Sequence, residues 1–195
     1  MADPVASEPP RVLLDANLLV ATLMRQILLG AARAGALQPL WSSRILEEWA
    51  RAAGRHGSLA EEMARREIAA LTEDWPAALV VPDPAVAATL VLPDANDVHV
   101  VAAAVGGGAE ILLTRNIRDF PTRILARHGL LRRDPDGFLR DWWAEAPEAA
   151  EAVVADVVRA FRAATGTAPA ARTLLKRAGL ARLGKALGPR IDALM

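Results

Sequence analysis

Short unbroken apolar runs alternate along this chain with longer stretches in which apolar residues recur at helical spacing. Residues 92–121, LPDANDVHVVAAAVGGGAEILLTRNIRDFP, show the alternation most plainly. An acidic turn with Asp94 and Asp97 precedes Val98, Val101, Ala102 and Val105, which fall at i, i+3, i+4 and i+7 and share one helix face. Gly106, Gly107 and Gly108 stop that helix. Ile111, Leu112 and Leu113 are too short a run for a helix and are bounded by turn residues, the pattern of a parallel strand buried on both faces. A polar loop with Thr114, Asn116 and Asp119 follows. Residues 11–15 read as a second such strand, ending on Asp15.

The same reading extends over the rest of the chain. Residues 1–10, rich in Pro and small polar residues, read as a flexible tail. A mostly apolar helix is expected over 18–34, after which Pro39 and Trp41 break the pattern. Ser42 or Ser43 caps a helix through residue 53, with Ile45, Leu46 and Trp49 on its buried stripe and Glu48 near the edge of that stripe. Ser58 opens another helix to about residue 72, with Leu59, Met63, Ile68 and Leu71 as core candidates. Short extended pieces are expected at 79–81, 90–92 and around Leu130 and Leu131. A helix carrying Phe138, Trp142 and Trp143 follows, with these Trp residues expected in the core. Beyond Pro147, Val153, Val154, Val157, Val158 and Phe161 form an amphipathic helix, and short Leu- and Ala-rich helices finish the chain. Alternating strands and helices predict a doubly wound α/β sheet over 11–145, with a helical extension over 146–195.

Composition narrows the class. Of 195 residues, 53% are hydrophobic and 24% charged, a globular balance, and the formal net charge is zero. The absence of Cys excludes disulfides and thiolate metal sites, leaving carboxylates and His56, His99 and His128 as strong ligands. The first ten residues lack the basic and apolar regions of a signal peptide, and no apolar run approaches a membrane span, so a soluble, cytoplasmic protein is expected. Neutrality argues against a generic nucleic-acid coat protein. The cations are nevertheless clustered, at Arg118, Arg123, Arg127, Arg132 and Arg133 and again at Arg172, Lys176, Arg177, Arg182, Lys185 and Arg190.

Four carboxylates carry the candidate chemistry: Asp15 at a strand end, Glu48 on a helix, Asp97 at a helix start and Asp119 in a loop. Each has an ordinary explanation too. Asp94 and Asp97 stand where helix caps belong, Glu48 where a solvated helix residue does, and Asp119 beside Arg118 and Arg123. His99 reads as a packed residue or one that supports a ligand. If the two strands lie side by side, the acids meet at the carboxyl ends of the sheet, where α/β folds bind ligands. There they would repel one another until divalent cations removed the cost, and hard oxygen donors without Cys point to Mg²⁺ or Mn²⁺.

The order LLDAN, SSRILEEW, LPDANDVHVVAAA and ILLTRNIRDFP resembles the PIN-domain nucleases, particularly the VapC-like branch of toxins from toxin–antitoxin pairs, over about residues 11–140. The resemblance implies a three-layer α/β/α sandwich on a parallel sheet and Mg²⁺- or Mn²⁺-dependent cleavage of RNA. It assigns Asp15, Asp97 and Asp119 as metal ligands and Glu48, with Glu47 as the alternative, as the helix acid. The sequence departs from the family at the position two residues after Thr114, where Asn116 replaces a common acid and Asp119 must supply the charge. Thr114, Arg115, Asn116 and Arg118 are candidate substrate contacts. An antitoxin protein and a homodimer are the implied partners. The C-terminal helices are similar to extensions on longer PIN toxins and read either as packing or as a surface for antitoxin, a second subunit or RNA. The competing function is a PIN fold kept as an RNA-binding or protein-interaction module. A haloacid-dehalogenase-type phosphatase needs a second Asp where Asn17 stands.

Overall fold

The computed structural model describes residues 8–194. Four short strands, β1 (Arg11–Leu14), β2 (Gln38–Leu40), β3 (Ile111–Leu113) and β4 (Leu131–Arg133), form one parallel sheet in the order β2-β1-β3-β4. The two central strands hold the fully apolar runs, and Val12, Leu13, Leu14, Leu112 and Leu113 have no solvent exposure. Covering such strands on both faces requires helices above and below the sheet.

The helices are α1 (Ala16–Leu19), α2 (Thr22–Arg33), α3 (Ser43–Gly54), α4 (Ser58–Asp74), α5 (Pro84–Thr89), α6 (Val98–Gly106), α7 (Thr122–Ala126), α8 (Pro135–Glu145), α9 (Pro147–Thr165), α10 (Ala171–Arg177) and α11 (Ala181–Ala193). From β1 the chain passes to β2 on one side, then crosses back to β3 on the other. Right-handed crossovers therefore put α2 on one face of the sheet and the α3–α6 segment on the opposite face. Accordingly α6 lies against β1 and β3, and α9 against α2. The result is the expected α/β/α sandwich with added C-terminal helices.

Several expected elements differ. Residues 38–40, expected only as a break, form β2, which tolerates Pro39 because it lies at the sheet edge. Residues 18–34 are not one helix: Ala21 is extended (φ −82°, ψ 99°) and separates α1 from α2. That break leaves the carbonyl of Leu19 to accept from the buried guanidinium of Arg25, which also pairs with Glu67 and lies over the Trp49 ring. Residues 79–81 make only a single bridge, Leu79 to Trp41. Val80 N–H donates to Trp41 O in that bridge, and just beyond it Asp83 N–H is already given to Ala102 O of α6. The 90–92 piece pairs with no strand, and α5 just before it was not anticipated. On α4 the buried stripe runs through Ala64 and Leu71 with Ile68 half-buried, leaving Leu59 and Met63 exposed on the neighbouring stripe. Trp41, Trp49 and Trp142 are buried as expected, whereas Trp75 and Trp143 are half-buried against the core. Most of the expected tail, residues 1–7, lies outside the described residues; Pro9 and Pro10 are tied to β2 through Gln38.

The C-terminal helices are part of the same core, to which Val154, Val158, Leu174, Leu183, Leu187 and Ile191 belong. Their last helix is anchored at the carboxyl end of β4. The buried carboxylate of Asp136, in the first turn of α8, accepts from the N–H groups of Arg182 (2.8 Å) and Leu183 (2.9 Å) at the start of α11. Those amides have no partner within their own helix, so Asp136 caps it from outside.

Candidate active site

The strand order reverses direction between β1 and β3, and parallel sheets leave a crevice at that point beyond their carboxyl ends. Leu14 pairs with Leu113, so the next residues, Asp15 and Thr114, stand side by side at the crevice. The Thr114 hydroxyl donates to Asp15 Oδ2 at 2.6 Å, and the Asn17 amide donates to the same oxygen. Asn17 Nδ2 also reaches Thr114 Oγ1 at 3.2 Å. Burial pushes the Asp15 carboxyl above its usual range, against the pull of these hydrogen bonds and of the Ala16 and Asn17 amides. A proton or a nearby positive charge would relieve a carboxylate held this way.

Asp97 approaches from the start of α6. Two acids share that turn and have different jobs: Asp94 caps it, accepting from Asn96 N–H at 2.9 Å, whereas Asp97 makes no cap bond. Asp97 Oδ2 instead accepts from Asn116 Nδ2 at 3.2 Å, and the same amide donates to Asp119 Oδ2 at 2.7 Å. Asn116 is itself held by its N–H on Thr114 Oγ1 at 2.9 Å. One hydrogen-bonded chain thus runs from Asp15 through Thr114 and Asn116 to Asp97 and Asp119. Burial pushes Asp97 up to about 6, followed by repulsion from Asp15, Asp94, Asp119 and Glu48 in that order. Asp119 is engaged by Asn116, and no ion pair joins it to Arg118 or Arg123.

Glu48 faces this cluster from α3, and burial followed by the Asp15 charge raises its carboxyl against the lowering influence of Arg44. Its Oε1 is gripped by Arg44 Nε at 3.3 Å and by His99 Nε2 at 2.8 Å. Burial, then Arg44, holds His99 down at about 4, so it is neutral at pH 7 and the contact is an N–H donating to a carboxylate rather than an ion pair. Glu47, the sequence alternative, turns away to Arg65 and Arg51, which hold its carboxyl down at about 2. Arg115 and Arg118 are exposed on the loop after β3. Arg115 donates its N–H to Asn17 Oδ1 at 3.4 Å.

A family model for the PIN domain matches residues 11–118. This chain belongs to the PIN-domain family. PIN domains are generally nucleases and typically use divalent metals. The match contains Asp15, Glu48, Asp97, Thr114 and Asn116, and ends just before Asp119. Comparison with curated proteins and with solved structures gives no match. Among the described residues, no three acidic or His side chains are gathered tightly enough to hold a metal ion as they stand. In this PIN domain the Asn116 amide bridges Asp97 and Asp119.

Two participants escaped the sequence reading. Arg44 lies four residues before Glu48, a spacing at which an Arg–Glu pair on a helix could have been suspected. Asn17, weighed there only as a missing Asp, orients Asp15. No helix among the described residues is long and apolar enough to cross a membrane.

Proposed function

We propose that this PIN domain is a divalent-metal-dependent endoribonuclease, the toxin of a toxin–antitoxin pair. The observation that carries the proposal is the hydrogen-bonded chain through Thr114 and Asn116 that gathers the carboxylates of Asp15, Asp97 and Asp119 beyond the carboxyl ends of β1 and β3. The oxygens that line the cluster belong to carboxylates and one hydroxyl, which fit a hard cation. Asp15, Asp97 and Asp119 would hold Mg²⁺ or Mn²⁺, which when bound supplies neutralising charge and Lewis-acid activation of a water. Thr114 and Asn17 keep Asp15 in one rotamer. Glu48, steadied by Arg44 and neutral His99, accepts a proton from the attacking water. Arg115 and Arg118 attract the scissile phosphate.

The toxin assignment rests on the likeness of the four sequence segments to the VapC-like branch, and an antitoxin and a homodimer come with it. Cleavage of RNA in Mn²⁺, abolished by EDTA and lowered at least about a hundredfold by Asp15→Asn, is the expected outcome. Cleavage that persists in EDTA or in that variant overturns the mechanism. Arrested growth on expression in a bacterium, relieved by Asp15→Asn, tests the toxin role. The Asn116 bridge favours one alternative, a PIN fold that binds RNA or protein without turnover. Calorimetric uptake of Mn²⁺ with no cleavage of any RNA would select it.

A further inference from the structure

The cations of this protein divide into two populations. Most Arg side chains are tied into ion pairs, among them Arg25, Arg44, Arg65, Arg133, Arg182 and Arg190. Apart from Arg11, Arg55 and Arg132, every Lys or Arg that forms no ion pair with a described residue lies within 115–127 or 172–185. These segments are far apart in sequence, and the fold joins them. The guanidinium of Arg115, on the loop that carries Asn116 and Asp119, lies against Gly179 in the α10–α11 turn. A Cβ built on Gly179 would stand 3.2 Å from Arg115 Cζ, and the residue's φ of +87° makes glycine the residue that suits the turn.

Helix α10 leads straight into that turn. It buries Ala171, Leu174 and Leu175 against the core and exposes Arg172, Thr173, Lys176 and Arg177 along the opposite side, where they line an open groove of about 560 Å³. Its seven residues give a cationic strip roughly 10 Å long, and its C-terminal end adjoins the loop of the acidic cluster. An acidic cleft repels a polyanionic substrate, so affinity must come from cations beside it that are not already neutralised.

We propose that the exposed face of α10, with Arg172, Lys176 and Arg177, is the bank of a substrate track that holds the sugar–phosphate backbone of single-stranded RNA to one side of the acidic cluster. The inference rests on the nuclease reading of that cluster. It assigns the extension beyond the family match a part in substrate binding, with affinity set by phosphate contacts and hence independent of base sequence.

The test is fluorescence anisotropy of a labelled single-stranded RNA oligonucleotide with the full chain, metal-free in EDTA, over 50–200 mM salt. Wild type is compared with the triple variant Arg172→Gln, Lys176→Gln, Arg177→Gln. All three side chains are exposed, so its melting curve should match wild type; a single Arg177→Gln variant serves if it does not. Removing three phosphate contacts should lower the slope of log affinity against log salt by about 2, so that the wild type loses about 20-fold more affinity than the variant over that range. The single variant should lower the slope by about 0.7. Equal slopes in wild type and variant, with RNA bound by both, overturn the inference and leave the nuclease reading standing. Failure of metal-free wild type to bind RNA at all overturns the inference, whereas the nuclease reading falls only if RNA is also left uncut in Mn²⁺. A variant that keeps its RNA affinity but loses binding to a polyglutamate peptide marks α10 as a surface for an acidic protein segment and also overturns the inference.

Discussion

At Asp97 a carboxyl that titrates near 3.8 in an unfolded chain is held near 6 in the folded protein. Between those values the folded state binds more protons, so stability falls as pH rises through the window. Asp97→Asn should therefore stabilise the metal-free protein at pH 7.5 by about 1–2 kcal/mol, discounted because the side chain is only half-buried, and the gain should vanish near pH 4. Thermal melts at the two pH values check this, and the same variant should lose Mn²⁺ uptake. The neighbouring glutamates make a sharper comparison. Glu48→Gln should lower kcat by about 10²–10⁴ if it takes the water proton, whereas Glu47→Gln removes surface ion pairs alone and should change kcat by about twofold or less. Most acids of this candidate site were legible residue by residue, since an acid after an apolar strand and acids at a helix start are sequence patterns. The roles of Asp94 and Asp97 were not separable that way. Which acid caps depends on backbone geometry that the two share in sequence.

At the scale of elements, glycines decide how closely helices meet. Gly184 and Gly188 in α11 face α10, and a Cβ on Gly188 would stand 2.7 Å from Arg172 Cβ and 2.8 Å from Arg172 N. Backbone cannot yield there as a side chain could, so Gly188→Ala should cost about 1–3 kcal/mol in urea denaturation and loosen α10. Central strands and amphipathic helices were readable because burial on one face or two imposes a period. Elements at the margin were not. Strand β2 was hidden by Pro39, which would disqualify a central strand but not an edge, and Leu59 and Met63 looked like core because apolarity alone cannot say which stripe of α4 is covered. The joining of His99 to Glu48 needs α3 and α6 to meet, and neither helix declares that in its own residues.

For the molecule as a whole, the order β2-β1-β3-β4 is what turns distant acids into neighbours, and it makes the crevice and the stability of the fold depend on each other. A cation bound there should stabilise the folded protein by about 2.7 kcal/mol at a hundred times its Kd. Addition of Mn²⁺ should thus raise Tm at pH 7.5, and the rise should shrink at pH 5, where protonated Asp97 competes. An equal rise at both values would place the ion elsewhere. The tie between Asp136 and the first amides of α11 has a practical side. Deleting the last helix would not simply trim the chain; it would take both amide donors from Asp136 and uncover the face of α8 on which α11 packs. A fusion partner or affinity tag at the C-terminus would instead emerge beside the start of α10, because Asp192 near the end of α11 accepts from the Ala171 N–H.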